Sequence, residues 1–151
     1  MSYSAGEALI LTQVQACASF DTTNTSRANW KLLNQGKSGR YAILAMGEFE
    51  HISHGMGGTY QTRWETLCEV WCRYIDDSSS LTTLEGLTQE IVDRFDAYRK
   101  AQDTTGLIQD VMVRRAARPT ERWKTGANGP AWLMQELSIV WLEQSTVTLQ
   151  E

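Results

Sequence analysis

Apolar side chains at Ile10, Leu11, Val14, Cys17 and Ala18 recur at steps of three and four between Gly6 and Phe20. That spacing lays them along one side of a helix, with Ser4 placed to cap it. Thr, Asn and Ser then crowd Asp21 to Ser26, where short polar side chains compete for backbone hydrogen bonds and predict a loop. Ser26 is placed to cap one or two further turns through Trp30, Leu32 and Leu33, ended by Gly36. Beyond it the period changes to two. Arg40 to Phe49 holds the β-formers Tyr41, Ile43 and Leu44 and predicts a strand. From Arg63 to Tyr74 the even positions are Trp64, Thr66, Cys68, Val70, Cys72 and Tyr74, none of them charged. The odd positions carry Arg63, Glu65, Glu69 and Arg73 beside Leu67 and Trp71. Alternate side chains of a strand point to opposite faces, so the even face is predicted to meet the core. The residues between the two strands end in Gly55, Gly57 and Gly58, which predicts a mobile hairpin tip over about residues 51–59.

After the turn-like Asp76 to Ser80, Thr82 and Glu85 match a capping box. Leu84, Leu87, Ile91, Phe95 and Tyr98 follow at helical spacing, Arg99 and Lys100 suit the negative helix end, and Gly106 closes the segment. Leu107 to Ala117 predicts a third strand, with Pro119 at its end or on an edge and Thr120 to Thr125 continuing it after a bend. Gly126 to Pro130 reads as a turn. Ala131 to Glu143 predicts a fourth strand, with Leu133, Leu137, Ile139 and Trp141 on one side and Trp132, Met134, Val140 and Leu142 on the other. A strand apolar on both faces lies centrally in its sheet, or has its outer face covered by another chain. Residues 146–151 read as a polar tail. The order α-β-β-α-β-β predicts an α+β fold: a mostly antiparallel four-stranded sheet with two main helices packed on one face.

A length of 151 residues with 42% hydrophobic side chains suits one domain, taken as 1–151, with a core that needs no staples. The net charge of −4 is unlike that of a dedicated nucleic-acid binder. No Lys or Arg precedes Arg27 and the longest early apolar run is Ala8 to Leu11, so neither a secretory signal nor a membrane span is expected. Cys17, Cys68 and Cys72 are an odd number without framework spacing, which points to a reducing compartment.

Candidate chemistry is sparse, and no catalytic, cofactor or metal residue is expected. His51 and His54 are the only histidines, and Cys68 and Cys72, four apart on a strand, lie roughly 13 Å from one another, too far to share one ion. Gly36-Lys37-Ser38 lacks the earlier glycine of a phosphate loop, since that position holds Lys31. Glu65 and Glu69 share a face with Arg63 and Arg73, where cross-strand ion pairing is expected.

Charge placement says more. Arg94 to Lys124 holds eight basic residues and four acids, net +4, which leaves −8 for the rest of the chain. This polarity suits head-to-tail association, one copy's basic surface meeting another's acidic one. A nucleic-acid contact and ordinary solvated strand faces are the alternatives. Arg114, Arg115, Arg118 and Arg122 are the interface candidates, joined by Trp71, an aromatic on an otherwise charged face.

This layout resembles the tail terminators of long-tailed phages, the family of the lambda tail terminator. The matching pieces are the helix around Ile10 to Ala18, the strands Tyr41 to Phe49 and Arg63 to Tyr74, the helix Leu84 to Tyr98, and the strands Leu107 to Ala117 and Ala131 to Glu143. The resemblance is one of architecture and covers most of the chain. It implies a structural virion protein without enzymatic activity, assembled in the host cytoplasm and located at the neck of the particle. Six copies would form a ring on the last ring of the tail tube, stop its polymerisation and join it to the head connector or stopper protein. DNA would only pass through the lumen. The alternatives are a neighbouring head–tail joining protein, or a small-molecule-binding α+β dimer with a pocket between sheet and helices.

Overall fold

Six strands form one sheet in a computed structural model that describes residues 3–35, 38–53, 59–123 and 130–146. The helices are α1 (Tyr3–Gln15) and α2 (Asp77–Ala97), with a short 3-10 turn at Trp30–Asn34. The strands are β1 (Thr25–Arg27), β2 (Arg40–Ser53), β3 (Thr59–Arg73), β4 (Ile108–Ala116), β5 (Thr120–Trp123) and β6 (Pro130–Thr146). They lie in the order β1-β2-β3-β6-β4, with β5 on the same side of β6 as β4. The fold is therefore α+β, as predicted, but the sheet has six strands instead of four and is mixed, because β1 runs parallel to β2.

Each difference has a local cause. Thr25 to Arg27 gains a strand geometry only because Ala42 to Leu44 offers it a partner. Thr120 to Trp123 does not prolong β4; the chain breaks around Pro119 and both segments pair separately with β6. The β2–β3 ladder continues to Ser53 opposite Tyr60, so the flanks of the predicted hairpin tip are paired strands, while residues 54–58 lie outside the described residues, as do residues 147–151 of the predicted tail.

Helix boundaries move for similar reasons. The run Asp77 to Ser80, expected as a turn, belongs to α2, because Asp76 caps it by accepting the Ser79 N–H at 2.8 Å. The helix thus begins before the expected Thr82–Glu85 box, and Thr82 and Thr83 donate back to Ser78 and Ser79 carbonyls instead. It ends at Ala97, and Ala101, Gln102 and Gly106 then take positive φ on the way to β4. Helix α1 starts at Tyr3, placing Ser4 inside it, and tightens after Gln15 as Cys17 N–H bonds the Val14 carbonyl. Ser26 caps nothing: it lies in β1, and its hydroxyl reaches the Asn29 carbonyl.

Both helices cover the same face of the sheet. Ile10, Val14, Leu84, Leu87, Ile91 and Phe95 meet Ala42, Leu44, Cys68, Val70, Leu137, Ile139 and Trp141 in one buried cluster. The even face of β3 supplies its share of that core, as the alternation predicted. The opposite face carries a second, smaller cluster of Leu32, Tyr41, Ile43, Trp71 and Met134, covered by the 3-10 turn. β6 is central, and its second apolar side is sheltered at this end by the chain itself.

Candidate functional site

Beyond the 3-10 turn, the helix-free face of the sheet is open. A hollow there is lined by Glu48, Glu50, Arg63, Glu65 and Arg114, so it bridges β2, β3 and β4. A neighbouring hollow is lined by Arg115, Glu136 and Ser138 along with Glu65. Glu65 stands between them. Its carboxylate accepts the Ser138 hydroxyl at 2.5 Å and the Glu48 backbone N–H at 3.1 Å. The Ser138 and Glu48 hydrogen bonds hold its carboxyl below the usual range against the opposing effect of partial burial, and the charges of Arg114 and Arg115 act in the same direction.

The Glu48 bond exists because β2 is bulged. The register with β3 slips between Met46 and Phe49, leaving Gly47 and Glu48 opposite Glu65. A glycine inside an otherwise regular strand was the one sequence signal for this bulge. The expected pairing of Glu65 and Glu69 with Arg63 and Arg73 does not form. Arg63 reaches Glu50 at 3.7 Å, Glu69 accepts the Trp30 indole N–H, and the Arg73 guanidinium lies over the Trp132 ring. Each acid found a nearer donor from a segment distant in sequence.

The interface candidates separate into two groups. Arg114, Arg115, Arg118 and Arg122 are exposed along the β4–β5 side of the sheet, and none makes a hydrogen bond or ion pair among the described residues. Trp71 is only 8% exposed and packs with Leu32, Tyr41 and Met134; its indole N–H has no hydrogen-bond partner among the described residues. The other arginines of the basic segment are engaged internally. Arg99 grips Asp110 through two hydrogen bonds of 2.7 Å, and Arg94 donates to Gln13 at 2.9 Å.

A second polar cluster joins α1 to the strands. Arg27 pairs with the buried Glu7, which also accepts the Tyr3 hydroxyl, and Tyr3 contacts Thr66, the acceptor for the Trp141 indole N–H. Burial first, then the Glu7 hydrogen bond, raises the Tyr3 phenol above its ordinary range. This chain fastens α1 to the core face and lies away from the open hollows.

The cysteines are buried free thiols. Burial, reinforced by Glu90, pushes Cys17 up to about 11, and burial raises Cys68 further. His51 is in β2 with its Nδ1 2.9 Å from the Thr62 hydroxyl; His54 lies outside the described residues. Among the described residues no group of three or more His, Cys, Asp or Glu is placed to hold a metal ion, and no helix is long and apolar enough to cross a membrane. A scan against protein-family models returned no match, and a search of curated proteins found none similar to this chain.

Proposed function

We propose that the chain is a structural component of a long-tailed phage particle, a tail terminator that works by fitting against copies of itself and its neighbours. Its copies form a ring, six in number by the family resemblance. The ring caps the tail tube, ends polymerisation and joins the tube to the head connector, while DNA passes through the lumen. The observation that carries this reading is the row Arg114, Arg115, Arg118 and Arg122: exposed on one side of the sheet and unpaired among the described residues. Like charges crowded on one strand side repel unless an acidic surface meets them, and a net −8 over the remainder of the chain supplies one. Helices on a single face leave the other face and the sheet edges to neighbours.

Depletion of the protein from an infected host tests the reading. Overlong or unjoined tails in electron micrographs support a terminator. Tails of normal length with DNA leaking from filled heads overturn it in favour of a neighbouring stopper protein. A strict dimer by light scattering, carrying a bound small molecule, overturns both.

A further inference from the structure

Two strand edges of this sheet have no partner among the described residues, and they stand level with each other. β1 pairs β2 only from Ala42 to Leu44, so β2 is open from Ala45 to Ser53. On the far side, β4 pairs only with β6. Following the register across the sheet, Met46 lies opposite Thr66, Thr66 opposite Ile139, and Ile139 opposite Val113. Glu50 leads in the same way through Arg63 and Leu142 to Asp110. The open part of β2 and the length of β4 are therefore at one height.

Strand directions also agree. β2, β3, β6 and β4 alternate, so β4 of one copy set beside β2 of an identically oriented second copy makes another antiparallel neighbour. The edges differ in charge. β2 presents Glu48 and Glu50, whereas β4 presents Arg114 and Arg115. Each also exposes apolar surface, with Phe49 54% exposed on β2 and Met112 39% exposed on β4. Both are bulged, β2 at Gly47 and Glu48 and β4 beside Arg114, so a long uninterrupted ladder between copies is ruled out and side chains must carry the contact.

We infer that the chain associates with a second copy of itself head to tail, the acidic outer side of β2 against the basic outer side of β4. The contact joins two different surfaces, so each copy keeps one free side of each kind and the series grows until it closes. This deepens the ring reading above and rests on it for closure, but names the surfaces that meet.

Two charge-reversed proteins test the pairing: Glu48→Lys with Glu50→Lys, and Arg114→Glu with Arg115→Glu. Far-UV circular dichroism and thermal melts establish that each is folded. By native mass spectrometry and light scattering, each alone is expected to lose the wild-type oligomer, with dissociation at least about tenfold easier. An equimolar mixture is expected to recover oligomers, because each variant's altered side then meets the other variant's unaltered one. Wild-type oligomers that persist in both variants, or a mixture that recovers nothing, overturn the contact and leave the terminator reading standing. A wild-type chain that stays monomeric at every concentration also overturns it. Rescue in the mixture, together with normal tail length on depletion, upholds the contact while removing the terminator role.

Discussion

Gly47 leaves the space that the Glu65 carboxylate occupies: a Cβ at Gly47 would lie 2.3 Å from Glu65 Oε1 and 2.9 Å from its Cδ. The bulge of β2 and the carboxylate of β3 are thus one unit. The glycine admits the acid, and the acid satisfies the N–H that the bulge frees at Glu48.

Gly47→Ala is expected to swing the carboxylate away, breaking its bonds to Glu48 N–H and the Ser138 hydroxyl. The loss should be about 1–3 kcal/mol, the cost of stranding partly buried polar groups. Urea denaturation measures it. Gly47→Ala combined with Ser138→Ala should cost less than the two changes separately, because both remove the same hydrogen bond.

Glu65 also makes stability depend on acidity. Its folded carboxyl is held below the ordinary value, so its contribution is complete above the unfolded value of about 4.3 and disappears as pH falls through the folded one. Ser138→Ala should move the Glu65 titration upward in carbon-detected NMR. It should destabilise the protein by about 1 kcal/mol at pH 7, since the group is partly solvated. That difference should shrink towards the acid end, and an equal difference at pH 7 and pH 3 would count against the assignment.

Gly6 sits against the ring of Trp141, and a Cβ there would approach Trp141 Cη2 to 2.0 Å. The ring is fully buried and its indole N–H is tied to Thr66, so it has nowhere to go. Gly6→Ala should lift α1 from the sheet and cost about 1–3 kcal/mol, despite alanine's higher helix propensity. A melting temperature lower by several degrees is the expected readout.

Much of this architecture could be read from periodicity. Leu84, Leu87, Ile91 and Phe95 keep helical spacing because one side of α2 is buried along its length, and β3 alternates because its two faces meet different surroundings. The same logic misplaced what depends on distant partners. Three residues of β1 are too few to show a period, and their pairing is set by β2. The serines before Leu81 look like turn formers until Asp76 is seen capping them. Trp71 stands among charges in sequence, and its cover, Leu32, arrives from far along the chain. The exposed arginines of the candidate interface were legible because strand alternation and charge are local properties. The role of Glu65 was not, since its partner Ser138 comes from another strand 73 positions away.

The segment from Cys17 to Asn34 starts on the helix-covered side, passes β1 along the outer margin of β2, and ends with Leu32 on the reverse side. Asn24 and Thr25 anchor that passage through Ser19, Asp21 and Gln15. It acts as a strap around the sheet, so neither apolar cluster can loosen without tugging on the other. Amide protons beneath the 3-10 turn should consequently exchange with solvent in the same cooperative step as those under α1, although a whole layer of strands separates them.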